Sequence, residues 1–451
     1  MKCASGILAT VLAAIALSVA GLAQTGDRLD LATALDQAFK SNPALASSRS
    51  GEDRAQAGLS IAKASRMPSA SVSETITNGN NPVFAFGSLL EQGRFSQSNF
   101  DLSALNNPSP LSNFRLGATL KYSLFDQKQG AFDVAIAKLN ISQATASTGF
   151  AAQRLRFDVL RAYYDVLLAE ARIAASREAI QLAEADVKST RDRVEAGTTV
   201  SSDLLAAEVQ LAESQQQLIE AEGEVRTAQA ALNLAMGTPI SKTWQLEGKL
   251  DNRNFILPDQ AALLQSAATR RPDLNAAGFS LEALKIRPKS IRNEWLPRVD
   301  LFANAGLSRN DFIHGSSDYT IGINLSINLV DAGRKARMSA AAADERIARS
   351  NQEALTNQIK FEVVRGVENY KSASQRLAVA ERMITAATES LRIVKDRYSA
   401  GLTTITEVLR AETTLVRARR NLLSVRRDQY IAFAALLLAT GTLDDASQFS
   451  R

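Results

Sequence analysis

The sequence predicts a mainly α-helical chain with a minority of β-strands of bilayer-crossing length, the whole built twice over. Three observations carry this. Long segments repeat apolar residues every seven positions. Four shorter segments alternate apolar and polar residues. Short motifs recur about 204 positions apart along the 451 residues.

The chain opens with Lys2 and then an apolar run from Ile7 to Ala20, too short for a membrane span and suited to an export leader. Gly21-Leu22-Ala23-Gln24 has the small-x-small form of a cleavage site, so residues 1–23 read as a signal peptide. A buried N-terminal helix is the rival reading. The single cysteine, Cys3, precedes the apolar run, so neither a disulfide nor a lipidated N-terminal cysteine is expected in the mature chain. No later stretch reaches 18 uncharged apolar residues; integration into a membrane would therefore have to use strands.

Duplication is read from paired motifs. Arg193-Val194-Glu195-Ala196-Gly197-Thr198-Thr199 returns as Arg397-Tyr398-Ser399-Ala400-Gly401-Leu402-Thr403, and Ala235-Met236-Gly237-Thr238 as Ala439-Thr440-Gly441-Thr442. Leu124-Phe125-Asp126 matches Leu329-Val330-Asp331, a shift of 205. Asn42-Pro43-Ala44-Leu45 matches Arg271-Pro272-Asp273-Leu274, and Pro68 matches Pro297, both at 229. The change of shift places 24 extra residues between Pro68 and Asp126, in a segment of roughly 78–112 rich in Asn, Ser, Gly and Pro. It reads as a long loop, since the flanking register survives its insertion. The resulting division is a first repeat over 24–250 and a second over 251–451.

Each repeat has one order of parts: a helix (29–65 and 259–290), two strands, a very long helix (127–194 and 332–398), a tight turn and a return helix (201–236 and 405–438). In the long helices Val159, Val166, Ile173, Ile180, Val187 and Val194 stand seven apart, as do Val363, Tyr370, Leu377, Ile384, Leu391 and Tyr398. The return helices carry Leu204, Leu211, Leu218, Val225 and Leu232, and Val408, Leu415 and Leu422 before Gln429 interrupts the series. Such spacing keeps one seam against a partner helix. A helix of about 65 residues is a rod of roughly 100 Å, which needs neighbours alongside. Gly197 and Gly401 sit where each hairpin turns, a place suited to left-handed backbone.

Tyr319, Ile321, Ile323, Leu325, Ile327 and Leu329 alternate with polar residues. So do Phe114 to Leu124, and Val299, Leu301, Ala303, Ala305 and Leu307. The fourth series, Ala70, Val72 and Ile76, is interrupted by Glu74. The same alternation fits a soluble half-buried sheet; the leader and the lack of mature cysteine favour a barrel. Four strands cannot close one, because the smallest membrane barrels have about eight. Strands in lipid would therefore have to be pooled among several chains in a closed ring.

The residues exclude most chemistry. His314 is the only histidine and falls in a loop, so transition-metal ligation and Cys/His or Ser/His/Asp catalysis lack their parts. No phosphate-binding glycine loop is present. Neither an enzyme nor a cofactor is expected. The net charge of +5 is mild. The runs Arg417, Arg419, Arg420, Arg426, Arg427 and Lys285, Arg287, Lys289, Arg292, Arg298 read as solvated or lumen-facing surface rather than nucleic-acid contacts. Pro288 should kink or end its helix.

Over almost its whole mature length the chain resembles the TolC-like outer-membrane factor family. The resemblance rests on Leu35-Asp36-Gln37-Ala38, Asn42-Pro43-Ala44-Leu45, the strand ends Leu124-Phe125-Asp126 and Leu329-Val330-Asp331-Ala332-Gly333-Arg334, Arg397-Tyr398-Ser399-Ala400-Gly401, and the order of parts seen twice. It implies a homotrimer in which each chain gives four strands to a twelve-stranded outer-membrane β-barrel, continued into the periplasm by an α-helical coiled-coil barrel. Ser241 to Pro258 would help form a belt around that tunnel. The implied role is the exit duct of a tripartite efflux pump, alongside a periplasmic adaptor (membrane fusion) protein and an inner-membrane transporter of RND or ABC type. A type I protein secretion duct is the alternative within the family; a secreted coiled-coil structural or adhesion protein is the alternative outside it.

The resemblance makes the two turns the periplasmic tips. Ser202, Asp203, Tyr398, Thr403, Glu407 and Arg410 become gate candidates, and Arg193, Gly197, Thr198, Arg397, Gly401 and Leu402 adaptor-contact candidates. Rings of charge at a narrow aperture select ions, and pairs between chains hold a closed state. The best-known member has an arginine at the place of Thr403 and an acid at that of Arg410, so the lock here would be wired differently. The alternative is that Asp203 and Glu407 are solvated first-turn acids favoured by the helix dipole.

Overall fold

The structure is a computed structural model that describes residues 27–311, 315–444 and 448–449. The expected leader, Cys3 and His314 lie outside the described residues. Two compact units interleave along the chain. One holds the described residues up to Ser47 with Phe150–Arg271 and Gln358 onwards; the other holds Ser48–Gly149 and Pro272–Asn357.

The order is β1 (Asp27–Leu29), α1 (Leu31–Ser41), α2 (Pro43–Ala64), β2 (Ser69–Gly79), α3 (Pro82–Glu91), a short 3-10 turn, α4 (Leu102–Asn106), β3 (Leu111–Phe125), α5 (Gln129–Glu195) and α6 (Ser201–Met236). Then come β4 (Trp244–Leu246), α7 (Gln260–Arg270), α8 (Pro272–Asn293), β5 (Arg298–Arg309), β6 (Gly315–Ser326), α9 (Ala332–Ser399) and α10 (Ile405–Ala439). The first helix of each repeat is two helices, not one, broken at Asn42-Pro43 and Arg271-Pro272. Proline removes an amide donor and pushes the preceding residue to extended backbone, and Asn42 (ψ 121°) and Arg271 (ψ 116°) adopt it.

The paired motifs acquire causes. Asn42 Nδ2 donates to the Ala235 carbonyl at 2.8 Å, and its Oδ1 accepts from the amides of Ala44 and Leu45. Arg271 donates to the equivalent Ala439 carbonyl at 3.3 Å. Gly237 and Gly441, both at φ 69°, close the return helices beside these breaks. A Cβ on Gly237 would lie 2.5 Å from the Ser41 carbonyl oxygen, and one on Gly441 2.8 Å from the Arg270 carbonyl carbon. Asp126 and Asp331 accept from the amides of Gly130 (2.7 Å) and Gly333 (2.9 Å), capping the two long helices.

In the first unit the heptads of the second repeat form a seam, whereas on α6 Ala207, Ser214 and Ala221 are buried in place of Leu204, Leu211 and Leu218. On α9, Ile359, Val363, Val367, Tyr370, Ala373, Leu377, Ala380, Ala387 and Leu391 are buried at spacings of three, four or seven. On α10, Val408, Leu415 and Val425 are buried, and Gln429 stays on the seam rather than leaving it, its amide donating to Ser374 Oγ at 3.3 Å. An aromatic node lies above. Tyr164 stacks on Tyr430 at 4.5 Å and Phe255 on Phe433 at 4.1 Å. Tyr370 Oη accepts from the Phe255 amide at 3.0 Å and donates to its carbonyl at 2.8 Å, so 241–258 is strapped to the long helices. Within this unit β1 pairs in parallel with β4.

The second unit carries one antiparallel sheet in the order β2-β3-β5-β6. Val72, Ile76, Leu116, Leu120, Tyr319, Ile321, Ile323 and Leu325 crowd one exposed face. Glu74 interrupts that face as its sequence place requires, and its carboxylate is paired with Arg309 at 3.0 Å. Residues 78–112 are not a plain loop. They hold α3, α4 and the 3-10 turn, with Asn81 capping α3 through the amides of Val83 and Phe84. Pro288 does not end α8, which runs on to Asn293. The turn beyond it is anchored by Gln129 Nε2, which donates to the Ser290 carbonyl at 2.9 Å.

Candidate functional site at the hairpin turns

Both hairpins turn by the same device. Gly197 (φ 69°) and Gly401 (φ 74°) are left-handed. The amides of Thr198 and Leu402 return to the carbonyls of Arg193 (2.9 Å) and Arg397 (2.8 Å). These bonds satisfy the last carbonyls of α5 and α9. No atom lies within 4 Å of a Cβ built on either glycine, so conformation alone demands glycine there. Val200 and Leu402 are exposed at the turns, and so are Thr198, Ser202 and Arg397.

The other candidates divide. The Thr199 hydroxyl donates to the Asp203 carboxylate inside the first turn of α6. Tyr398 is drawn together with Arg193, whose guanidinium lies 4.4 Å from the ring centroid and ties one hairpin to the other. The Tyr398 hydroxyl is buried and makes no hydrogen bond among the described residues. Glu407 and Arg410 form an exposed pair at 3.4 Å within α10, of the solvated kind that contributes little. Thr403 is half-buried beside the turn.

Sequence reasoning missed the strongest polar cluster, which lies deeper in the hairpins. Glu412 of α10 is buried and pairs with Lys395 of α9 at 2.5 Å. Asp186 of α5 faces the same pair. Burial, then a hydrogen bond and the charge of Glu412, push the Asp186 carboxyl up to about 7, against an opposing effect of Lys395. The signal was present: Glu412 occupies a seam position between Val408 and Leu415, where heptads ask for an apolar side chain.

Two arginines of the α10 run meet carboxylates within the unit. Arg419 pairs with Glu178 at 3.0 Å and Arg427 with Asp165 at 2.5 Å, while Arg420 donates to Gln217 at 3.2 Å. Among the described residues, no group of three His, Cys, Asp or Glu could hold a metal ion, and no helix is long and apolar enough to cross a membrane.

The family model described as outer membrane efflux protein matches residues 34–238 and 263–442, once over each set of motifs. The outer membrane efflux protein BepC of Brucella suis is 25% identical over 448 residues, covering 96% of this chain and 90% of that one. The alkaline protease secretion protein AprF of Pseudomonas aeruginosa is 24% identical over 65% of this chain and 63% of its own. Among solved structures, the outer membrane channel CmeC of Campylobacter jejuni superposes with a TM-score of 0.79 at 17% identity, covering 93% of this chain and 87% of that one.

Proposed function

As the chain belongs to the outer membrane efflux protein family, we propose that three copies assemble into one efflux duct, working with a periplasmic adaptor and an inner-membrane RND or ABC transporter. The observation that carries this is the open sheet. Its β2 and β6 edges are unpaired among the described residues, yet one face is a field of exposed apolar side chains. An open edge in lipid leaves each unpaired backbone group costing several kcal/mol. Three antiparallel steps lead from β2 to β6, so β6 of one copy also runs antiparallel to β2 of the next. The ring closes without a parallel mismatch, and three copies give twelve strands.

On this reading residues 1–23 are the export leader, 24–250 and 251–451 the two repeats, and 241–258 part of the belt. Arg193, Gly197, Thr198, Arg397, Gly401 and Leu402 meet the adaptor. Ser202, Asp203, Tyr398, Thr403, Glu407 and Arg410 surround the periplasmic aperture. The duct carries no catalytic group; its partner supplies the driving energy. Gly401→Pro tests the tip. Proline cannot adopt φ 74°, and it loses the amide bond from Gly401 to the Tyr398 carbonyl. Export in a complemented deletion strain should fall while the amount inserted in the outer membrane stays unchanged; normal export would refute the tip assignment.

The name of AprF supports a second reading, export of a polypeptide rather than small molecules. Drug susceptibility and the secreted proteome of a strain lacking this chain separate the two.

A further inference from the structure

The 24 residues that unbalance the duplication have no counterpart in the second repeat. They belong to the segment joining β2 to β3, at the end of the sheet away from the helix-capping Asp126 and Asp331. Their placement is specific. By strand register Asn113, Arg115, Ser308, Ser316 and Asp318 share the polar face of the sheet, and the end of α3 is fastened to that face. Glu91 pairs with Arg115 at 3.2 Å and accepts from Ser308 Oγ at 3.3 Å. Arg115 in turn reaches Asp318 at 3.0 Å and Ser308 Oγ at 2.8 Å. Gln92 is buried, and its Nε2 donates to Asn113 Oδ1 and the Ser112 carbonyl, each at 2.9 Å. Gly93, left-handed at φ 65°, brings the chain so close that a Cβ there would lie 3.4 Å from that of Ser316.

The segment also has its own aromatic cluster. Phe86, Phe95 and Phe100 pack edge to face, with centroids 4.6 and 5.0 Å apart. A mobile connection would need neither this cluster nor the buried amide.

We propose that residues 80–110 are a folded lid that narrows the outer mouth of the duct and sets the size of cargo that leaves, with Glu91, Arg115 and Asp318 as its latch. The inference rests on the closed-ring reading above, in which the polar face lines the lumen. Three latched lids then converge on one opening, fixed by charge-assisted bonds whose geometry a neutral side chain does not reproduce.

The test uses single channels of the purified chain in planar bilayers. Gly79 and Leu111 stand directly opposite in the β2–β3 register, so an Asn-Gly turn can replace 80–110 without moving either strand. Conductance of this shortened chain should rise at least about twofold; an unchanged conductance overturns the lid. A second variant guards against a merely damaged barrel. In a chain with Cys3→Ser, Arg115→Met releases the latch while Gly93→Cys and Ser316→Cys allow a covalent one. Conductance should match that of the wild type when oxidised and rise when reduced. Equal currents in both states overturn the proposal. If no variant, and not the parent chain, forms any channel, it is the closed-ring reading that has failed.

Discussion

At the residue scale, the repeated glycines carry two different demands. Gly197 stands in open space and needs only its left-handed backbone, whereas Gly237 needs both that backbone and the absence of a Cβ against the Ser41 carbonyl. An L-residue in this region costs about 1–2 kcal/mol, and forcing a methyl into a filled site adds about 1–3 kcal/mol. Gly197→Ala should therefore lower stability by about 1 kcal/mol and Gly237→Ala by about 3 kcal/mol, read from melting curves of the two variants in detergent. Equal losses would contradict the close approach. The glycines were legible in the sequence because they recur at one shift. Their partners were not: nothing in the one-dimensional pattern says that Asn42 and Arg271 satisfy the carbonyls of Ala235 and Ala439.

At the scale of elements, the helices were legible almost to the residue. A seven-residue repeat with glycine after it states period, seam and end together. The breaks at Pro43 and Pro272 were written in the sequence too, in prolines that the reading of one helix over 29–65 and one over 259–290 passed over. Pro288 does not end its helix, because the packing of Ala283 and Ser290 on either side carries the helix through it. The 78–112 segment misled in the opposite direction: its polar composition signals loop, and its order comes from Phe86, Phe95 and Phe100 packing on one another and from Gln92 reaching Asn113 and the Arg309 carbonyl. The Asp186–Lys395–Glu412 cluster also exists only where three helices meet. Asp186 has a folded pKa near 7, above the roughly 3.9 of an unfolded aspartate. Between those values the folded chain holds a proton that the unfolded chain releases. Stability from the protonated form is thus complete below about pH 4 and lost as pH rises through 7. The wild type should melt higher at pH 5 than at pH 8, and Asp186→Asn should reduce that difference. An unaltered difference in the variant would place the titration elsewhere.

At the scale of the whole molecule, the chain is an outer-membrane channel protein whose sheet is open at both edges among the described residues. Its sequence disclosed the need for partners through arithmetic: four strands, each with one apolar face, are too few to close. The number of partners came from family resemblance, since strand counts alone permit any ring of sufficient size. On the proposed closed ring, the antiparallel sense of β2 and β6 permits closure and the apolar face supplies the lipid-facing wall, so both the insertion and the lumen would depend on assembly. The most direct measurement is the native mass of the leader-processed protein released from detergent micelles. The expected result is a species of three chains that withstands mild denaturant and separates only on heating. A single folded chain, stable in water without detergent, would contradict the account.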